Sequence, residues 1–412
     1  MQEVAVSKAA EVHCGDHSVA WTDFNDVVPL ALRFEYILPH STNGAATVQS
    51  LSMTRSEVKK QSVKPLLTLL FLFANFQATK AWDKIFALLG LTNIPIQPNY
   101  SLPIKDVYRQ TAMGIISQSS NLDLLSLPPG RTDHFSNDLP SWAPDWEVRD
   151  QEVLPILPEI IDSVHDFAVY CASGPHRIFS PQFSASEKLL QVAGHLVDVV
   201  EHVSDTWDLE SPWLDPHWKP SATEAHSWMC RQHVCLQNWE HTAGAHSQAR
   251  YFNDDNMFDV FWQTICGWYE PTEYLARRAC YHQYRKAEAI YRYIHRLPAP
   301  MAYYLCLLVT ITGFAALVTD CLHIPRNASS RFLNGNKLTK NRRIIRTENG
   351  YVGIAPHFAE KGDWIALFKG GKVPLVIRRE GLNWRLVGDA YVHGIMFGTA
   401  WKENECQTTF LA

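Results

Sequence analysis

The apolar positions of this chain change their spacing along its length, helical in the first third and strand-like in the last quarter. Leu66–Phe76 (LLTLLFLFANF) is an apolar run too short to cross a bilayer and long enough for a buried helix. Trp82–Gly90 (WDKIFALLG) puts Trp82, Ile85, Phe86 and Leu89 on one helical face, with Gly90 suited to a left-handed cap. In Ile104–Gln118, residues Ile104, Val107, Tyr108, Thr111, Ala112, Ile115 and Ile116 follow i, i+3, i+4 spacing, which predicts a helix with a buried stripe. Its Lys105, Asp106, Arg109 and Gln110 form a solvated face. Closer to the start, Val4–Ala10 reads as the end of a helix, Cys14-Gly15-Asp16 as a turn and Trp21 as a helix start.

Leu139–Trp146 (LPSWAPDW) follows a Pro- and Gly-containing loop, Leu127–Arg131, and is a rigid extended segment. Its two indoles must find a groove, because exposing them forfeits roughly 25 cal/mol per Å² of apolar area. Tyr170–Ser173 and Leu189–Val200 read as strand, turn and strand. Ser204–Asp255 is a Trp-, His- and Pro-rich stretch of low order, after which Phe258–Tyr269 and Glu273–Arg296 predict helices. Beyond Arg342 the runs are short and broken by glycine. Asn349-Gly350 predicts a two-residue hairpin turn. Breaks at Lys369-Gly370-Gly371 and Glu380-Gly381 separate strands near Asp363–Phe368, Val373–Arg378 and Trp384–Val387. The predicted class is α+β: a mainly helical region over 1–120, a mixed connector over 121–255, a second helical region over 256–325 and a small C-terminal antiparallel β-module over 340–400.

One segment departs from a globular pattern. No charged residue lies between Leu297 and Thr319, and Met301–Thr319 approaches the roughly 20 apolar residues of a membrane-spanning helix. Thr310, Thr312 and Gly313, and the Pro298/Pro300 pair at its start, favour a buried helix instead. Arg292 and Arg296 before it and Arg326 and Arg331 after it leave orientation undecided.

Composition narrows the function classes. With 412 residues, 46% hydrophobic and 19% charged, the chain is expected to form two or three globular domains. A formal net charge of −5 argues against nucleic acid as a partner, which calls for a basic face. Nine scattered cysteines read as reduced thiols, and the start has no apolar signal-peptide region, so the expected location is cytoplasmic, with single-pass membrane association through 301–319 as the alternative.

Reactive chemistry is sparse. There is no G-x-S-x-G elbow, H-E-x-x-H, P-loop or G-x-G-x-x-G, and no cofactor is expected. His226, Cys230, His233 and Cys235 have residue types that bind zinc, and positions 226, 230 and 233 share one helical face. The cluster lacks the second, separated pair of ligands that structural zinc sites use, so no metal is expected. Cys14 beside His13 is a turn cysteine, since sequence neighbours are not a catalytic geometry. Asp198 lacks a second carboxylate or a nucleophile at a motif-defined distance. A site in a cleft between the helical body and the β-module would need a polar cluster, for which Asp83, Lys84, Asp145, Arg378, Asp389 and His393 are the candidates. Their convergence in one pocket would favour an enzyme or accessory protein, and local pairing of each would count against it.

The last quarter also carries words. Gly350, Tyr351, Gly353, Pro356, Gly362, Asp363, Gly370, Gly371, Pro374, Arg378, Gly388, Tyr391, Val392, His393, Gly394, Met396 and Gly398 match, in order, the C-terminal pattern of fungal heterokaryon-incompatibility (HET-domain) proteins. DKIFALLGL and LPSWAPDW resemble two further family motifs, with Trp82 where the family has Arg. Leu189–Val200 resembles its connector. Gln2-Glu3 and the Cys14–Phe24 segment resemble the element that closes the HET domain, whose upstream motifs are absent, so the chain reads as N-terminally truncated within that family. The resemblance implies a part in fungal non-self recognition and programmed cell death through protein partners or self-association. HET domains are thought to resemble TIR domains, some of which cleave NAD, and that activity would belong to the missing half. A non-catalytic interaction or regulatory protein, or an incomplete fragment, is the expected form. The module is further expected to fold back on LPSWAPDW.

Overall fold

In a computed structural model, the structure describes residues 2–33, 42–127 apart from 75, 139–147, 153, 155–157, 170–174, 179–207, 222–267, a few near 300 and 339–412. The expected helix Glu273–Arg296 and the apolar run from Leu305 to Thr319 lie outside them. Among the described residues no helix is long and apolar enough to cross a membrane.

The chain opens with α1 (Gln2–Val6), a hairpin of β1 (Glu11–Cys14) and β2 (His17–Ala20), α2 (Trp21–Arg33) and α3 (Thr42–Lys59). The turn at Gly15-Asp16 and the helix start at Trp21 are as predicted, whereas the flanking strands and α3 are not legible in the apolar pattern. A five-residue helix leaves its last carbonyls without intrahelical partners. Arg55 of α3 supplies them: its buried guanidinium bonds to the Val4 and Lys8 carbonyls and to Ser7 Oγ.

Then come α4 (Leu66–Leu72), α5 (Asp83–Phe86) and α6 (Ile104–Ser119). Pro65 and Pro103 precede α4 and α6, where a fixed φ costs nothing and a missing N–H is not needed. The predicted stripe of α6 is buried from Val107 to Ile116, with Ile104 half-buried. Gly90 is not a left-handed cap. It lies in a 3-10 turn, Leu89–Leu91, where a Cβ would come within 2.0 Å of the Gln2 side chain.

The C-terminal region holds most of the sheet. β3 (Gln182–Phe183) flanks β4 (Leu190–Val203), and β5 (Arg342–Thr347), β6 (Val352–Pro356), β7 (Trp364–Phe368), β8 (Leu375–Glu380), β9 (Asn383–Asp389), β10 (Tyr391–Val392) and β11 (Gln407–Leu411) follow. β4 is one strand of 14 residues, and Tyr170–Ser173 is not a strand. β4 pairs with both β11 and β7, β7 with β8, β8 with β9, and β9 in parallel with β11. These five strands therefore close on themselves as a barrel, which leaves no open edge among them. The far half of β4 carries an extension of β5, β6 and β10. The module thus recruits β4 from the connector and β11 from beyond residue 400.

Closure requires β4 to bend. A register shift falls at Leu196/Asp198, and at Gly194 a Cβ would sit 2.1 Å from the Leu367 carbonyl oxygen. On one face of these strands, Leu190, Val192, Phe368, Leu375, Ile377, Trp384, Leu386 and Leu411 join the same apolar cluster as α4 and α6. A second cluster, with Ile365, Leu367, Val376 and Val387 of the ring and Val200, Ile345, Ala355 and Val392 of the extension, covers the other face. LPSWAPDW docks on the barrel as expected. Ser141 bonds through its N–H and hydroxyl to the Ala412 carbonyl, its Oγ accepts the Leu386 N–H at 2.9 Å, and buried Trp142 donates to the Lys188 carbonyl. Trp146 meets Tyr108 edge-on at 5.2 Å.

The low-order reading of Ser204–Asp255 is corrected by a helix of 22 residues, Ala222–Ala243. Its buried Leu236, Trp239 and Ala243 follow helical spacing, but the stripe is short and interrupted by polar residues such as the buried Glu240. The following helix, Met257–Cys266, is capped by the Asn256 side chain and is buried from Val260 to Cys266.

Candidate functional site

The six polar candidates are each engaged by their own neighbours. Asp83, at the first turn of α5, accepts the Tyr100 hydroxyl at 2.6 Å. Lys84 donates to the carbonyls of Ala74 and Phe76 at 3.0 and 2.5 Å, fastening the loop after α4. Asp145 accepts the N–H of Glu147, a local turn bond. Arg378 of β8 forks onto Asp363 at 2.7 and 3.0 Å and reaches Glu360 at 3.1 Å. Asp363 is buried, so this pair fixes the β6–β7 turn against the barrel wall. Asp389 accepts from Arg342 at 2.5 Å and from the Ile156 N–H at 2.5 Å, with both charged side chains fully enclosed. Burial pushes the Asp389 carboxyl up, and the adjacent guanidinium pulls it back. His393 faces Asp255.

Of the zinc candidates, Cys235 is buried and its thiol points to the Thr206 carbonyl at 3.6 Å. On a helix it lies on the side opposite positions 226, 230 and 233. The side chains of His226, Cys230 and His233 lie outside the described residues. Among the described residues no three metal-ligating side chains group together. Exposed Cys14 ends β1, and Asp198 is committed to Val199 and Asn349.

Convergence occurs instead at the YVHG turn. Tyr391 and Val392 pair with β6, and the His393 N–H donates to the Val352 carbonyl at 2.9 Å. The Tyr251 hydroxyl donates to the His393 carbonyl at 2.9 Å and accepts the Val352 N–H at 3.2 Å, using both of its capacities. Burial pushes the phenols of Tyr251 and Tyr391 up, so both remain protonated. The Met396 carbonyl accepts the Cys171 N–H at 3.0 Å. Gly398 has φ +81 and lies so close to Gly174 that a Cβ would be 3.0 Å from its Cα. Tyr170 packs between Tyr391 and exposed Phe397 and donates to the Gly267 carbonyl at 3.1 Å.

Five stretches of chain, near 171, 251, 267, 352 and 391–398, meet here. The chemistry is that of a fastening: the one imidazole faces a carboxylate, and the nearby hydroxyl is occupied by backbone. Tyr251 and Asp255 carry no signal in the sequence, because they sit in a stretch without periodicity. Arg342 opens a strand that also holds Arg343 and Arg346, so nothing in the sequence marks it as the fully buried one.

Residues 277–412 match the family described as the Het-6 beta-barrel domain. That match begins after β4, which the ring in this structure needs for closure. The chain is similar to heterokaryon incompatibility protein 6, OR allele, of Neurospora crassa, with 23% identity over 396 residues covering 82% of this chain and 52% of that protein. It therefore spans about half the length of the curated relative it matches. No solved structure matches.

Proposed function

We propose that this chain, a fungal heterokaryon-incompatibility family protein, serves non-self recognition as a non-catalytic interaction or regulatory unit, in a process that ends in programmed cell death. The observation that carries the reading is the separate engagement of Asp83, Lys84, Asp145, Arg378, Asp389 and His393, each with its own partner. A catalytic pocket needs at least a nucleophile or base free to meet a substrate. The motif residues instead join strands and loops, as a scaffold does. Protein partners, including a second copy of the chain, are the occupants such a scaffold presents itself to.

Expression in a filamentous fungus tests this, with the chain alone and with the chain joined to a HET domain. Death is expected only in the joined form, and death from the chain alone would contradict a unit that depends on another part for its effect. Co-purification from the same strains should recover a protein partner or a self-associated form.

A further inference from the structure

Two buried histidines stand at either end of one stretch, Tyr391–Trp401 (YVHGIMFGTAW). At its start, His393 places Nε2 3.3 Å from Asp255 Oδ2, while its Nδ1 is buried without a hydrogen-bond partner. At its end, Trp401 lies on His195 of β4 with ring centroids 5.5 Å apart, and His195 bonds to the Ala400 backbone. The His195 Nδ1 is likewise buried without a partner. His195 is 4% exposed and His393 5%, so both rings are shielded from bulk solvent.

A neutral imidazole can leave one nitrogen as a bare lone pair. An imidazolium cannot, because both nitrogens then carry a proton and the second needs an acceptor. A buried donor left unsatisfied is costly, and more so when it is charged. We propose that Tyr391–Trp401 is an acid-released strap, clamped to the barrel while His195 and His393 are neutral and detached when they take up protons.

The groups around each ring set the balance. His393 is faced by the Asp255 carboxylate from the loop before helix Met257–Cys266 and by the Tyr251 hydroxyl. Around neighbouring Tyr391 lie Tyr251, Asp255 and the Cys266 thiol. His195 is faced by Glu405 and Lys402, with the Lys369–Glu403 pair and Cys406 alongside. At His195 the bond to the Ala400 backbone and then Glu405 favour protonation while Lys402 opposes it, and at His393 Asp255 favours it. Burial is the larger effect at both sites and holds both imidazoles below their usual value. A His whose folded value is lowered favours the neutral ring. The clamp is therefore at full strength above the ordinary value of about 6.5 and weakens as pH falls through it toward the lower folded value. Release would separate Met396 from Cys171 and Gly398 from Gly174, uncovering Tyr170 and Tyr391.

Hydrogen–deuterium exchange of the full chain at pH about 7.5 and about 5.0, corrected for the intrinsic rate, reads the strap directly. Peptides over 391–401 and 250–256 should lose protection by about tenfold or more at the lower pH, while α6 keeps its own. The double variant His195→Gln/His393→Gln should show no such pH dependence, and each single variant about half of it on a logarithmic scale. The idea fails if the wild-type strap stays protected at the lower pH, if it opens only together with α6, or if the double variant opens as wild type does. Should the double variant not fold, the wild-type result and the two single variants still decide.

Discussion

In the helical body, cationic side chains reach for backbone carbonyls: Arg55 for Val4 and Lys8, Lys84 for Ala74 and Phe76. In the barrel, polar side chains are matched with other side chains. Arg342 meets Asp389, Arg378 meets Asp363, and Asp198 holds Asn349, 151 residues on. The first arrangement fastens a loop or a short helix to what lies beside it. The second ties strands together, so a change at one partner is felt across the ring. Perturbations of equal chemical size should therefore cost more in the barrel than in the helical body, and the expected effects can be ranked.

Removal of one partner from the enclosed pair should cost most. Asp389→Ala removes the carboxylate that the buried Arg342 guanidinium meets and should destabilise the fold by about 3–5 kcal/mol in urea unfolding. The double variant Arg342→Met/Asp389→Leu should recover much of that, because the charge and its partner leave together. A loss under 1 kcal/mol for the single variant would erase the contrast between the two regions.

Gly194→Ala comes next. The new Cβ would collide with the Leu367 carbonyl, which is backbone of the neighbouring strand and cannot swing away. A cost of about 2–4 kcal/mol is expected from such overpacking, read by thermal unfolding. Asp198→Ala removes the acceptor of three bonds, from Val199 N–H and from the N–H and side-chain amide of Asn349. A cost of about 2 kcal/mol is expected, with faster exchange confined to the 347–351 turn.

These positions also show what the sequence could and could not disclose. The stripe of α6 and the breaks between β7, β8 and β9 were legible because their burial has a single period and glycine marks each end. The Asn349-Gly350 hairpin was legible, but its loop is Glu348–Gly350, with only Gly350 at positive φ. Asn349 is there for Asp198, a partner that local spacing cannot reveal. Barrel closure was hidden for the same reason, since it depends on β4 and on β11 at Gln407–Leu411, which pair across more than 200 residues. The cleft candidates were chosen as polar residues inside apolar motifs. In the structure, Arg378 and Asp389 are tied within the barrel and its extension, His393 faces the loop before helix Met257–Cys266, and Asp83 and Lys84 are local fasteners.

In the helical body, Lys84→Met keeps the aliphatic stem and removes the contacts to the Ala74 and Phe76 carbonyls, which lie where water can replace them in part. About 1 kcal/mol is expected, with the loss confined to the loop after α4. A value above that of Asp389→Ala would invert the ranking and place the weight of the fold on the helical side.

The smallest effect belongs to the β1–β2 hairpin. Seven of its eight strand residues are exposed, and Cys14 is a free thiol at the end of β1. Cys14→Ser changes neither burial nor a cap, so stability should shift by less than about 0.5 kcal/mol. An isolated two-stranded hairpin is at best marginal in water, so residues 11–20 should be the first cut in limited proteolysis, ahead of any barrel strand. Protection of this hairpin equal to that of β8 and β9 would mean that something covers it in solution, and the contrast between a tightly coupled barrel and a locally fastened N-terminal part would then need to be redrawn at α2 rather than at α1.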